Sequence, residues 1–91
     1  MNDRYQWDAK KAEQNWRKHG VTFDHAVTAI EDQFAIEDID EYEAEERWNL
    51  LGVCDGVILR VTYTMRDECI RTISSRRATP HEQDRYRKST R

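Results

Sequence analysis

The spacing of apolar residues changes along the chain, from a helical period in the first third to a strand period afterwards. After a short apolar stretch at 5–7, which is a candidate strand, apolar residues with helical spacing run along 9–16 and again along 23–30. The two stripes consist of Ala9, Ala12 and Trp16, and of Phe23, Ala26, Val27 and Ile30. The pattern predicts a strand followed by two amphipathic helices.

Polar residues and a glycine mark the ends of these predicted helices. Asp8 is placed to cap the first helix, and Gly20 supplies the left-handed residue that ends it. Thr22 stands at the cap position of the second helix. The short interval between Gly20 and Thr22 predicts an αα pair joined by a tight turn.

A strand period follows in the second half of the chain. Arg47–Val53 and Val57–Thr64 flank Asp55-Gly56, a dipeptide that between two apolar runs is typical of a tight β-hairpin. Met65–Glu68 is the next predicted turn, and Cys69–Ser75 is the last predicted strand.

An acidic run precedes the hairpin. Phe34 and Ile36 still alternate with more polar neighbours, as in a half-exposed strand. Glu37–Glu46 then holds seven acidic residues in ten, which is too charged for a buried element. We expect a connecting loop or a fraying edge there.

The chain ends in a predicted third helix. Thr79 stands at its cap, Pro80 at its first position and Glu82 at the capping-box position, and the helix is expected to run to about Lys88. Helices and strands that do not alternate argue for an α+β fold, with the helices packed on one face of an antiparallel meander.

Composition limits the class of protein. A chain of 91 residues predicts a single domain over 1–91, and the nearly equal apolar (37%) and charged (36%) fractions predict a small, very polar one. No apolar run reaches the length of a membrane span, and the N-terminus lacks the apolar region of a signal peptide, so we expect a cytoplasmic protein. Cys54 and Cys69 lie in predicted strands without CxxC spacing, so reduced packing residues are favoured over a disulfide or a metal site.

The formal net charge of -3 conceals a strong asymmetry. Residues 1–50 carry 13 acidic against 6 basic side chains, whereas residues 71–91 carry 7 basic against 2 acidic. Attraction of a phosphate depends on the local field, so the basic C-terminal part stays compatible with nucleic-acid binding.

Arg76 and Arg77 are the leading candidates for chemistry. They follow an apolar strand and precede the last helix, where two planar guanidinium groups could bind one phosphate. Neighbouring residues of an extended strand point to opposite faces, so this requires the strand to end or bulge at the pair. The structural alternative is a solvated arginine pair at the entry of a helix.

In its ordered set of motifs the chain resembles the BrnT family of toxins, from Trp7 to Tyr86. The matching N-terminal positions are Trp7-Asp8, Lys11, Asn15, Lys18-His19-Gly20-Val21, Phe23 and Ala26. The later ones are Glu46-Arg47, Gly52, Val61-x-Tyr63-Thr64-x-Arg66, Arg71-x-Ile73-Ser74-x-Arg76-Arg77-Ala78-Thr79, Glu82 and Tyr86.

The resemblance implies a bacterial type II toxin with a RelE-like α+β fold. It implies an endoribonuclease that blocks translation and a BrnA-type antitoxin that neutralises it, commonly as a two-plus-two complex. That complex would bind DNA only through the antitoxin and would repress its own promoter.

RNA cleavage without a metal or a cofactor requires a base for the ribose 2′-hydroxyl, cations for the pentacovalent phosphate and an acid for the leaving oxygen. We expect the catalytic groups among Arg66, Arg76, Arg77, Glu82 and Tyr86, and RNA contacts from Lys18, His19, Arg60 and Arg71.

Several of these residues also have structural explanations. Glu82 fits the capping box so well that this role leads over that of a general base. Tyr86 is equally compatible with a base-stacking or proton-donating group and with a core aromatic that closes the last helix onto the sheet. Lys18 and His19 are explained first by the negative end of the helix dipole, although histidine changes charge near neutral pH.

Other chemistry is less favoured. The histidines lack zinc-ligand spacing, and the acidic run lacks the ligand periodicity of a cation site. Trp7, Trp16 and Trp48 fall at apolar positions, so we expect core packing from them. The main rival hypothesis is an inactive or weak toxin that acts as antitoxin partner in a repressor complex. A direct DNA binder is disfavoured because no predicted helix has a basic, base-reading face.

Overall fold

The computed structural model describes residues 4–42 and 45–90. Its elements are β1 (Tyr5–Gln6), α1 (Ala9–His19), α2 (Phe23–Ile30), β2 (Ile36–Tyr42), β3 (Glu45–Cys54), β4 (Val57–Arg66), β5 (Cys69–Arg77) and α3 (Pro80–Ser89). This order confirms the predicted α+β class, with a short strand and two helices before a meander and a C-terminal helix.

The described strands form one mixed sheet in the order β1-β5-β4-β3-β2. The pairs β2–β3, β3–β4 and β4–β5 are antiparallel, whereas β1 pairs with β5 in parallel through Tyr5 and Gln6. The predicted hairpin is confirmed: Asp55 and Gly56 connect β3 to β4 with φ of 49° and 80°. Positive φ at both positions is what a tight hairpin turn with the native strand twist requires.

The acidic run forms an edge strand over 37–42, so of the two expectations for it the connecting loop is wrong and the edge of the sheet is confirmed. Strand β2 pairs with β3 from Ile36, opposite Leu51, to Tyr42, opposite Glu45. An edge strand has one paired neighbour and a solvated side, and it therefore tolerates charges that an inner strand would not. Residues 43 and 44 of the run lie outside the described part of the chain.

One face of the sheet, the helix face, is covered by α1 and α2. Leu50, Leu59 and Val61 lie there in a core that they share with buried alanines of α2. Helix α2 crosses β3 so closely that a Cβ at Gly52 would stand 2.1 Å from the carbonyl oxygen of Ala29. Only a glycine permits this approach.

Helix α1 reaches the sheet through a polar residue. Trp16, which the apolar stripe predicts to be core, is 53% exposed, whereas Asn15 is buried. The Asn15 amide donates to the carbonyl oxygens of Val21 (2.9 Å) and Ser75 (2.8 Å), and its oxygen accepts from the Ser75 amide (3.0 Å). The prediction for Trp16 is wrong because α1 lies beside β5, where unpaired backbone groups need polar partners.

The other two tryptophans are partly buried. Trp7 meets Phe23 edge to face at 5.8 Å between ring centroids, and Trp48 stacks on Tyr63 at 5.5 Å. Cys54 lies in the core of the helix face, and within the described chain neither cysteine is in a disulfide.

Helix α3 packs on the opposite face of the sheet, the arginine face, which is defined by Arg60 and Arg76. Ala78 and Tyr86 pack there against Leu51 and Ile58. The prediction that the helices share one face is therefore wrong. Strands β3 and β4 carry apolar side chains on both faces of the sheet, so both faces must be covered. Helix α3 covers those on the arginine face.

Candidate functional site

Two arginines of neighbouring strands meet on the arginine face. Arg60 of β4 stands opposite Arg76 of β5 in the sheet register. Like charges in such a pair repel each other. Glu82 of α3 offsets this repulsion: its carboxylate accepts from Arg76 Nη1 (2.9 Å) and Nη2 (3.1 Å), and the Nε of Arg60 lies 3.4 Å from the same carboxylate.

The start of α3 fixes Glu82 in this place. The amide of Thr79 donates to Glu82 Oε1 (2.9 Å), and the amide of Glu82 donates to Thr79 Oγ1 (3.2 Å), which confirms the predicted capping box with Pro80 at the first helical turn. The hydrogen bonds from Arg76 are the main cause that lowers the pKa of Glu82 to about 2, against the opposing effect of burial. Glu82 is therefore an ionised, fully engaged carboxylate at neutral pH.

A polar cavity of about 140 Å³ opens beside this cluster, between the sheet and α3. Arg60 and Glu82 line it together with Asn49, Asp38 and Arg85, the last two forming an ion pair of 3.0 Å. The side chain of Arg60 is 29% exposed. Among the described residues its guanidinium group contacts Glu82 through Nε, and its partial exposure leaves the group accessible to an anion in the cavity.

Arg76 and Arg77 point to opposite faces. Strand β5 stays paired through both residues, with Arg77 opposite Leu59, and the irregularity of this ladder lies further back, between Thr62 and Tyr63. Arg77 lines a separate cavity of about 150 Å³ on the helix face, with Val21 and His25. The condition for a shared phosphate, a strand that ends or bulges at the pair, is not met.

Two other predicted arginines lie at the far end of the sheet. Arg66 closes β4 six residues beyond Arg60, a distance of roughly 20 Å along an extended strand. Arg71 stands opposite Thr64 and donates from Nη1 to the side chain of Gln6 (3.3 Å). The structure therefore does not bring Arg66 or Arg71 to the cluster of Arg60, Arg76 and Glu82.

Tyr86 lies in the core beneath α3, as the structural alternative expects. It is 8% exposed, and its hydroxyl donates to the carboxylate of Asp32. Burial, and then the charge and hydrogen bond of Asp32, raise the pKa of Tyr86 to about 12. The hydrogen bond from the Tyr86 hydroxyl thus connects α3 to the segment between α2 and β2.

Lys18 and His19 line a third cavity, of about 250 Å³, between α1 and β5. Lys11 contributes a second lysine to this cavity, and Ile73 and Ser74 form its β5 side. Ser74 precedes Arg76 by two residues on the same strand, so the cavity adjoins the arginine cluster along β5.

The predictions from sequence missed the acidic and amide side of the site. Asp38 and Asn49 face the arginines because β2 pairs with β3. Thr62 donates to Asn49 Oδ1 (2.8 Å), and Asn49 Nδ2 donates to the carboxylate of Asp40 (3.2 Å). Residues 36–40 do not alternate cleanly, because Glu37 and Asp38 are adjacent acids, so their sequence does not distinguish an edge strand from a connecting loop.

The arrangement defines a class of site. Within residues 4–42 and 45–90 no group of three or more His, Cys, Asp or Glu residues is placed to hold a metal ion. What the arginine face offers is a pair of permanent cations, fixed by a carboxylate, beside a solvent-accessible polar cavity. Such a site binds and stabilises anions, phosphate groups among them.

The comparison with protein families agrees with this class. The family model of the ribonuclease toxin BrnT, of type II toxin–antitoxin systems, matches residues 7–82. The chain belongs to this family, which confirms the resemblance seen in its motifs and implies a protein antitoxin as partner. A search of curated proteins finds no match. In the described part of the chain no helix has both the length and the apolar character needed to cross a bilayer.

Proposed function

We propose that this protein is a metal-independent endoribonuclease toxin whose active centre is the cluster of Arg60, Arg76 and Glu82. The observation that carries the proposal is the arginine pair, fixed by Glu82 beside an open polar cavity. In a family of ribonuclease toxins, a fixed cationic pair of this kind is the natural site for the scissile phosphate.

The reaction is a transesterification. The ribose 2′-oxygen loses its proton and attacks the adjacent phosphorus, the bond to the 5′-oxygen breaks, and this oxygen takes up a proton. The phosphorane that lies between carries more negative charge on its equatorial oxygens than the diester does. Arg60, through its partly exposed guanidinium group, and Arg76 stabilise this added charge more than the charge of the ground state, which is the origin of the rate acceleration.

Glu82 has a positioning role in this mechanism. A carboxylate with a pKa of about 2, held by two arginines and a backbone amide, is a weak base at neutral pH. Its contacts with both guanidinium groups instead hold them beside each other on the face of the sheet. We therefore assign Arg60, which was predicted as an RNA contact, to the catalytic residues, and we no longer assign Arg77 to them.

The cavity between α1 and β5 supports a path for the RNA strand. Lys11 and Lys18 carry positive charge there, and His19 lies beside them. Because Ser74 joins this cavity to Arg76 along β5, a strand bound across it would place a phosphate at the arginine pair. Phosphate contacts of this kind add affinity and make it sensitive to salt.

The proposal also covers the antitoxin partner, the effect of the toxin on translation and its location in the cell. We expect a BrnA-type antitoxin bound in a two-plus-two complex, promoter binding only through that antitoxin, and arrest of translation in the cytoplasm by the released toxin. The type II family supports the existence of a protein antitoxin.

The adjacent arginines provide a matched pair of variants for the test. Arg76→Ala is expected to lower the cleavage rate of a purified RNA by about 100-fold or more, because it removes a charged group that stabilises the transition state. Arg77→Ala removes the same side chain from the other face and is expected to retain most of the activity. The measurement is single-turnover cleavage at equal folded fraction, checked by circular dichroism.

A second function has support from two observations. Glu82 occupies both terminal nitrogens of Arg76, and the whole chain carries a net charge of -3, which favours a weak nuclease that serves in an antitoxin-bound repressor complex. If the wild type cleaves no RNA and stops no growth, this second function replaces the first. If Arg76→Ala and Arg77→Ala lose activity equally, the assignment of the site is wrong.

A further inference from the structure

The helix face has an end that neither α1 nor α2 covers. Ile39 of β2 stands opposite Trp48 of β3, and Trp48 stands opposite Tyr63 of β4. Met65 lies two residues after Tyr63 on the same face and within the diagonal reach of Trp48. Ile39 is 63% exposed and Met65 is 47% exposed, and we call Ile39, Trp48 and Met65 the open patch.

Acidic side chains outnumber basic ones beside the open patch, where the exposed Arg66 follows Met65. Glu37 and Glu46 share the helix face with it, each two residues before a patch residue on its own strand. Asp67 and Glu68 are exposed in the turn between β4 and β5. The patch also adjoins β2, an edge strand whose outer side faces no other described strand.

These features together indicate a protein partner that adds a strand. An edge strand offers backbone donors and acceptors to a new strand, and exposed apolar side chains beside it offer affinity and register. The acidic side chains beside the patch, which we call the acidic rim, favour a positively charged strand. Complementary charges speed association and disfavour partners of the wrong charge.

The other occupants fit less well. A second copy of this chain, paired through β2 in antiparallel fashion about Ile39, would place Asp38 opposite Asp40, and like charges at such positions are destabilising. RNA is also disfavoured as an occupant, because the same acidic side chains would repel its phosphate groups.

We infer that the open patch and β2 form the docking surface for a basic, extended segment of the antitoxin, with apolar residues at alternate positions. The inference rests on the proposed function, since it requires an antitoxin-regulated toxin, and it adds the surface and the chemistry of the partner segment. It also assigns a use to the acidic run.

The test is the affinity of the purified chain for the antitoxin encoded in the adjoining reading frame, measured by calorimetry. Ile39→Lys places a cation in the patch and is expected to weaken binding by about tenfold or more. Trp16→Lys is the matched control, because Trp16 is a large apolar residue 53% exposed on α1, away from the patch. It is expected to bind like the wild type.

The charge of the rim has its own pair of variants. Glu46→Lys is expected to weaken binding several-fold at low salt and less at high salt, since exposed charges are screened. Glu13→Lys makes the same change of charge on α1 and is expected to have no effect. Hydrogen exchange should slow in 36–40 when the antitoxin is added, and the antitoxin segment protected in return should carry an excess of Lys and Arg.

The inference is overturned if Ile39→Lys binds with wild-type affinity, if the wild type does not bind the antitoxin, or if the free chain forms a dimer that Ile39→Lys dissolves. RNA cleavage separates this failure from a failure of the proposed function. Ile39→Lys is expected to cleave RNA at the wild-type rate, whereas Arg76→Ala is expected to lose cleavage and keep antitoxin binding.

Discussion

The two faces of the sheet differ in how they use neighbouring positions of the same strands. On the helix face, Leu59 and Val61 are sealed under α2, and Gly52 lets the helix approach to backbone contact. On the arginine face, Arg60 lies between these two residues in sequence, stands opposite Arg76 and lines a polar cavity. Alternation along β4 therefore places core residues and a residue of the proposed site at adjacent positions of one strand.

The contrast explains why a chain this small can hold a charged site. The helix face supplies the larger apolar core, so the arginine face is covered only in part, by Tyr86 and Ala78 of α3. Substitutions of buried residues on the helix face should thus cost the most stability, and those on the arginine face should change activity or loosen α3. The following predictions test this division.

The largest effect is expected at Gly52. Gly52→Ala would place a Cβ 2.1 Å from the backbone oxygen of Ala29, so α2 must move off β3. We expect a loss of about 3 kcal/mol or more in the free energy of unfolding, measured by urea denaturation. Gly56→Ala is the comparison: its φ of 80° is unfavourable for alanine but its surroundings are open, so the loss should be smaller, about 1 kcal/mol. Equal losses would contradict the close helix–strand contact.

A smaller loss of stability is expected at Asn15. Asn15→Ala removes three hydrogen bonds and leaves the backbone groups of buried Ser75 without partners. The expected loss is about 2 kcal/mol in the same assay. Gln14→Ala, an exposed neighbour of equal helical context, should change stability little, and a large effect there would mean that α1 is held differently.

On the arginine face, Glu82 should control both activity and acid stability. The carboxylate is ionised down to a pKa of about 2 in the folded chain, from an ordinary value of 4.5, so its contribution is complete above pH 4.5 and is lost as the pH falls toward 2. Glu82→Gln should lower stability at pH 7 by about 1.5 kcal/mol, allowing for solvent screening, and by little at pH 2.

The same variant should slow RNA cleavage, because Arg60 and Arg76 lose the group that orients them. A general base would show itself by a shift in the acidic limb of the pH–rate profile. A positioning residue should lower the rate by a similar factor across the profile. A shifted limb would contradict the positioning role.

The smallest effect is expected at Tyr86. Tyr86→Phe removes the hydrogen bond to Asp32 and keeps the packed ring, so about 1 kcal/mol should be lost. Because the pKa of Tyr86 is raised to about 12, the hydroxyl is a neutral donor below pH 9, and this loss should be the same at pH 6 and pH 9. Faster hydrogen exchange confined to α3 would support the division of the two faces; faster exchange throughout the sheet would break it.

Sequence was most informative where a local rule acts alone. The caps at Asp8, Thr22 and Thr79, the left-handed Gly20 and the Asp55-Gly56 hairpin are each decided by a few neighbouring atoms. The family resemblance was likewise readable, since its motifs are ordered along most of the chain.

Predictions failed where distant elements decide. Strand β2 exists because β3 offers it a paired edge, and Trp16 is exposed because β5 presents polar backbone groups to Asn15 instead. Neither fact has a local signature. The site is a mixed case: the residue types of Arg60, Arg76 and Glu82 were identified from sequence, whereas their association and the exclusion of Arg77 depended on the register between β4 and β5.

The sequence by itself determined the class of fold, the helix ends, the central hairpin and the family, because these depend on short-range geometry and on the order of motifs. The tertiary structure alone decided which arginines meet, which face α3 covers and that the acidic run is an edge strand. The physical reason is the same in each case: a strand shows its period in the sequence, but its neighbours, its register and the cover on each face are fixed only when it pairs.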